Sequence, residues 1–368
     1  MSFTRTAPRL APCHHLTRSL HVGASTLAAQ RTLLLKRIYA PFEGLKKGSP
    51  EYEKLAISGR VWEDYFQPGN SERYRYDRMQ KMFEPVLEEI EGLNSSIKLP
   101  ERRTIVESLV AEYAQQSVKI ENNTLRLGDS IILNDHLVST FLKQRDLGSM
   151  PALELSNTGL PNLQFLLPEA NPSQLAELRN HIIACHWVAS KAMLSLNTPK
   201  GIDENEVKSL SALIVKDTDS EGIYSAGWGK RIKPGDYRQT PISVKSNPLR
   251  IFPYHDEVPA LMNRFFEWKN SKEGALHPLI LACQATAYFV YVHPFPDGNG
   301  RVSRLVFQDA LMRRGYLPVA LRGVGRDEYL RMIVEAQDGD PSRFVKEVLS
   351  SQLEALRALR SRGSGKGN

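Results

Sequence analysis

At 368 residues, 41% of them hydrophobic and 24% charged, the chain can bury one sizeable core, or a core with a helical annex, and its composition excludes global disorder. The net charge of +7 does not mark a nucleic-acid binder, because six basic residues and no acidic one lie between Met1 and Phe42. The remainder is close to neutral and lacks the footprint that phosphate neutralisation requires; no window approaches the roughly 18 apolar residues of a membrane span.

The leader (Arg5, Arg9, Arg18, Arg31, Lys36 and Arg37 among Ser, Thr, Ala and Leu) has the composition of an organelle-import presequence. Arg37-Ile38-Tyr39 before Ala40 resembles a mitochondrial processing site, so residues 1–39 are expected to be a mitochondrial presequence or a disordered basic leader, with a cytoplasmic protein as the alternative. Residues 40–172 read as a helical region, charged as far as Pro100, followed by a helix over about 100–121 with Ile105, Leu109, Val110, Tyr113 and Ile120 on one stripe. From Gly148 to Pro172 proline is frequent and periodicity is lost, which predicts irregular chain.

Regular helix is predicted to resume at Ser173, as cap, and to run to about Leu196; another follows Asp203. The first contains Cys185-His186, a metal pair only at first glance, since its neighbours are apolar and three scattered cysteines (Cys13, Cys185, Cys283) form neither a disulfide framework nor zinc spacing. Two short alternating runs, Tyr237–Val244 and Leu249–Pro253, predict a β-hairpin. Helices are then expected over Val258–Lys269, Pro278–Val292, Gly300–Arg314, Arg326–Gln337 and from Pro341 on, making the class all-α with one small hairpin, a core over 173–350 and the C-terminal helix end with a polar tail over 351–368.

The chemistry lies in His293-Pro294-Phe295-Pro296-Asp297-Gly298-Asn299-Gly300-Arg301-Val302-Ser303-Arg304. Gly298 and Gly300 let backbone N–H groups approach an anion, and a helix opening there adds partial positive charge. Arg301 and Arg304, three apart, face one way on the first turn and can grip successive phosphates. Asp297 is the hard oxygen ligand that Mg²⁺ takes beside phosphate, His293 can accept a proton near neutrality, and Asn299 can orient a phosphate or the loop itself.

This segment resembles the Fic motif, His-x-Phe-x-Asp/Glu-Gly-Asn-Gly-Arg-x-x-Arg, at every defined position, and His277-Pro278, Gly315-Tyr316-Leu317-Pro318 and Gly339-Asp340-Pro341 fit the family's flanks. The resemblance implies a Fic-type helical bundle that transfers AMP from ATP, with Mg²⁺, to a Ser, Thr or Tyr hydroxyl of a protein. It implies His293 as base, Asp297 on the metal, Gly298, Asn299, Gly300 and Arg301 on the α- and β-phosphates, and Arg304 on the γ-phosphate. The hairpin at about 237–253 would be a flap that docks the target protein, with Val244, Lys245, Ser246 and Asn247 nearest the nucleotide. Tyr329 and Gln337 would wall the adenine and ribose.

Ser117-Val118-Lys119-Ile120-Glu121-Asn122 resembles the family's inhibitory motif, Ser/Thr-x-x-x-Glu-Gly/Asn. Ser117 and Glu121 are four apart on one helix face, and the resemblance implies that Glu121 pairs with Arg304 and blocks the γ-phosphate. Removal of AMP on the same site stands beside AMP transfer. The intact Asp297 and both arginines speak against transfer of a different group, and His293 with Asp297 speaks against a nucleotide-regulated binding module without catalysis.

Overall fold

A computed structural model describes residues 24–58, 76–198, 201–225, 232–244, 250–271 and 276–364. In chain order the helices are α1 (Ala24–Ile38), α2 (Pro50–Ser58), α3 (Tyr76–Met82), α4 (Glu84–Ser95), α5 (Leu99–Ile120), α6 (Leu127–Ser139), α7 (Ala152–Asn157) and α8 (Pro172–Leu194). They continue with α9 (Glu204–Val215), α10 (Glu221–Ser225), α11 (Val258–Ser271), α12 (Pro278–Val292), α13 (Asn299–Arg313), α14 (Arg326–Gln337) and α15 (Ser342–Ser364).

The central element is α13. Val302, Leu305, Val306 and Met312 face a core formed with α5, α8, α9 and α11, while Phe307 and Leu311 face a second core with α4, α12, α14 and α15. Polar residues are buried on it too, Asn299, Arg301, Arg304, Gln308 and Asp309 among them, so its apolar pattern is broken where the chemistry sits. α5 straddles the two cores, with Val106, Val110, Tyr113, Ala114 and Val118 in one and Ile120 in the other. Ile105 and Leu109, expected on its buried stripe, are half-buried at the edges.

Several ties dock α5 along its length. Arg102 donates to Asn94 Oδ1 at 2.7 Å and to the Gly315 carbonyl at the end of α13. Gln116 exchanges hydrogen bonds with both main-chain groups of Leu321, accepting from its N–H at 2.6 Å, and Arg322 forks onto Glu112. The helix stops where Asn122 takes a left-handed conformation (φ 70°), a region Asn tolerates, and Asn123 N–H reaches back to Val118 O at 3.1 Å.

Three expectations are corrected. α8 is capped by Asn171, whose Oδ1 accepts from Gln174 N–H at 3.0 Å, rather than by Ser173, because Pro172 opens the helix at a position that needs no N–H. Among the described residues no strand ladder forms over 237–244 or 250–253; Val244 makes only an isolated bridge, and Lys245, Ser246 and Asn247 lie outside the described residues. The span from Gly148 to Pro172 contains the short helix α7. Apart from these three, α1 places Ile38, 2% exposed, in the first core.

Candidate active site

The ends of two packed helices create the site. α12 ends at Val292, and His293, with φ 52° and ψ 59°, turns the chain in the left-handed region that few non-glycine residues adopt. The loop runs through Phe295, fully buried, to Gly298, whose φ of 80° caps α13. The positive φ makes glycine the fitting residue at 298, and a Cβ there would also press on the tip of the Ile214 side chain of α9 at 2.7 Å. Asn299, read as a phosphate or loop ligand, belongs to the loop: its Oδ1 accepts from Phe295 N–H and its Nδ2 donates to Phe295 O, both at 2.8 Å.

His293 Nδ1 lies 3.1 Å from Val290 O. A carbonyl can only accept, so Nδ1 carries the proton and Nε2 keeps its lone pair. The ring packs on Phe252 with centroids 4.2 Å apart, and burial lowers its pKa to about 4 against the support of the Val290 carbonyl. The imidazole is therefore neutral at pH 7 and presents a free acceptor beside the phosphate loop.

Both motif arginines are buried, 3% exposed for Arg301 and 8% for Arg304, and both are held by carboxylates. Arg301 donates from Nη2 to Asp297 at 2.8 Å and from Nη1 to Glu177 of α8 at 2.7 Å. Glu177 in turn accepts from Asn123 Nδ2 at 2.7 Å, which ties the turn that follows α5 to the same network. Burial raises the Glu177 pKa despite Arg301, whereas at Asp297 burial is opposed by Arg301, the Ser220 hydroxyl and the Gly298 N–H, which together lower the pKa. Arg304 donates from Nε to Ser117 Oγ at 2.7 Å, and from Nη2 to Ser117 O at 2.7 Å and Glu121 Oε1 at 2.6 Å. Burial disfavours its charge, but Glu121 and Tyr329 overcome that and raise the pKa.

The Glu121 carboxylate also occupies space. A Cβ built on Gly300 would collide with Glu121 Oε1 and lie 3.1 Å from Arg304 Nη1, so the carboxylate rests against the first turn of α13, where an anion would bind. Asp297 is a single carboxylate, and no group of three or more metal-ligating side chains occurs among the described residues. That donor set fits a magnesium ion that brings phosphate oxygens with it and does not fit a dedicated all-protein cage.

The expected nucleotide wall fares unevenly. Tyr329 is 4% exposed and lies under the Arg304 guanidinium, 5.5 Å from ring centroid to Cζ, so it backs the arginine. Gln337 is 6% exposed and already engaged, donating to Ala287 O at 3.0 Å and accepting from Arg250, so it anchors α14 to α12 instead of offering a free face. Cys185 and His186 pack as expected, His186 Nε2 lying 2.8 Å from Asn134 Oδ1. Sequence reasoning missed Glu177, Asn123 and Arg238. Glu177 carries no local signal, being one acid on a long helix, and Arg238 looks like a surface cation in a hairpin run.

Residues 201–311 match the Fic/DOC family. The chain is 30% identical over 189 residues to protein adenylyltransferase Fic of Nematostella vectensis (49% of this chain, 43% of the relative) and 32% identical over 187 to that of Aedes aegypti (48% and 37%). It thus spans less than half the length of these two curated relatives. Fic-1 from C. elegans superposes with a TM-score of 0.54 at 19% identity, over 93% of this chain and 98% of that one. A Fic domain containing signaling protein from Bacteroides thetaiotaomicron gives 0.52 at 22%, over 75% and 94%. The part of this chain that is similar to the Fic/DOC family, residues 201–311, encloses the His293–Arg304 loop.

Proposed function

We propose that this protein is an adenylyltransferase that moves AMP from ATP to a hydroxyl of a protein, held back in this state by Glu121. The observation that carries the reading is a neutral His293 with Nε2 free, next to a glycine-rich helix start with two arginines on its first turn. The target oxygen attacks the α-phosphorus, its proton passes to His293 Nε2, and the bond to the bridging oxygen breaks, releasing pyrophosphate. The N–H groups at the start of α13, with Arg301 and Arg304, stabilise the charge on the phosphates. Asp297 would hold magnesium together with phosphate oxygens; bound there, the ion would neutralise charge on the polyphosphate.

The segment 237–253 is the surface on which an extended target would lie, and mitochondria are the location its basic, acid-free leader favours. Hydrolytic removal of AMP is a second reading, favoured by the Glu121 carboxylate over Gly300, where it could orient water. The test is incubation with ATP labelled at the α-phosphate. The Glu121→Gly protein should label itself, and the Glu121→Gly, His293→Ala protein should bind ATP without labelling. Equal labelling by both removes His293 from the reaction.

A further inference from the structure

We propose that Arg238 is the positioning residue of the general base: its guanidinium fastens both arms of the 237–253 segment to the main chain of His293 and so holds the imidazole at the mouth of the phosphate loop. The proposal rests on the reading of His293 as base.

Arg238 is 2% exposed, among the most deeply buried large side chains of the protein. Its Nε donates to His293 O at 2.7 Å, its Nη1 to Thr240 O at 3.2 Å and its Nη2 to Pro253 O, while its own N–H donates to Pro294 O at 2.9 Å. Thr240 lies on the arm entering the segment and Pro253 on the arm leaving it. One planar fork therefore joins three points that are far apart in sequence and adjacent in space. A lysine, with a single point of charge on a flexible stem, cannot span the same three carbonyls.

A charge withdrawn from water persists only where many hydrogen bonds meet it. Burial lowers the Arg238 pKa to about 10, which still leaves it charged at neutral pH. What this expensive group holds is a strained residue. His293 sits at φ 52°, and such a conformation persists only where its surroundings over-determine it. They do so here from both ends. His293 N–H bonds Phe289 O at 3.1 Å, Nδ1 bonds Val290 O, and Arg238 takes the His293 carbonyl. Phe252, one residue before the Pro253 carbonyl that Arg238 grips, covers the ring. The left-handed turn thus sends the carbonyl of His293 towards Arg238 and its ring towards Phe252. A target or nucleotide that shifts either arm shifts the base with it.

Arg238 also bears on the chemistry by charge. His293 is faced by Arg238, which opposes its protonation, and by Asp297 and Glu121, which favour it. A cross-link that merely stabilised the fold would change none of this balance.

The experiment uses the full chain. Arg238→Lys and Arg238→Gln are compared in the Glu121→Gly background, with kcat for self-labelling, ATP affinity by calorimetry, and the His293 ring protons titrated by NMR. Arg238→Lys should lower kcat by about ten- to a hundredfold while ATP affinity stays within about threefold. Arg238→Gln should move the His293 titration upward from about 4 towards its ordinary value. A folded Arg238→Lys protein with unchanged kcat overturns the proposal. So does a fall in kcat matched by an equal fall in ATP affinity with the His293 titration unmoved, which would make Arg238 a structural cross-link only. Should Arg238→Gln fail to fold, the lysine variant decides alone. If the Glu121→Gly parent does not label, the enzymatic reading fails, and the NMR titration still decides whether Arg238 acts on His293.

Discussion

Replacing Glu121 by glycine should release the site, and the geometry sets the size of the effect. Three hydrogen bonds run from Arg304 to α5, two to Ser117 and one to Glu121 at 2.6 Å. The substitution leaves the Ser117 contacts in place and removes the charged one. A hydrogen bond between charged groups contributes roughly 1.5–3 kcal/mol. The Glu121 side chain is 30% exposed, so solvent screening puts it in the lower part of that range, about 1.5–2 kcal/mol. Each 1.4 kcal/mol is about tenfold in a two-state equilibrium, so self-labelling should rise about ten- to thirtyfold, and further if clearing the space over Gly300 also helps. Glu121→Gln, which keeps an acceptor oxygen without the charge, should rise about two- to fivefold. Arg304→Ala should not imitate the release, since it frees the space and removes a phosphate ligand together, and the double variant should resemble Arg304→Ala alone. The assay is time-resolved incorporation of label from α-labelled ATP, with ATP affinity measured in parallel. Labelling and affinity both within twofold of the parent would show that the Glu121–Arg304 pair does not govern nucleotide access.

Other consequences can be measured directly. Asp297→Asn should reduce magnesium-dependent labelling by at least about tenfold while nucleotide binding without metal changes little, because only the carboxylate offers the hard donor; equal magnesium dependence in parent and variant would discount Asp297. Acid should destabilise the fold: burial lowers His186 to about 4, so between the ordinary value of 6.5 and that value the unfolded chain binds a proton the folded one does not. Stability therefore falls as pH drops through that window, by about 1.4 kcal/mol from His186 alone near pH 5.5. Denaturant melts at pH 7.5 and 5.5 should show the fall, and His186→Asn should shrink it. A fusion of residues 1–40 to a fluorescent protein should enter mitochondria, and diffuse cytosolic signal would leave only the tail reading.

The sequence by itself determined the helical class, the start of α9, the bounds of α12 and α14, and the grouping of base, carboxylate, glycines and arginines in twelve residues. These are local properties: apolar spacing, a capping acid such as Asp203, and a loop whose donors are covalently close. The pairing of Glu121 with Arg304 was implied by the family resemblance and not by local spacing, and only the tertiary structure brings Glu177 to Arg301. Ser117 and Glu121 reach Arg304 across more than 180 residues of chain, through the docking of α5 by Arg102 and Gln116, and Glu177 reaches Arg301 across more than 120. Gln337 is engaged by Ala287 O and Arg250 for the same reason, since a polar side chain gives no sign in sequence of the distant group that will claim it. Arg238 shows the limit most plainly. In sequence it is one cation in an alternating run, and burial among four carbonyls, one of them that of His293, makes it part of the site.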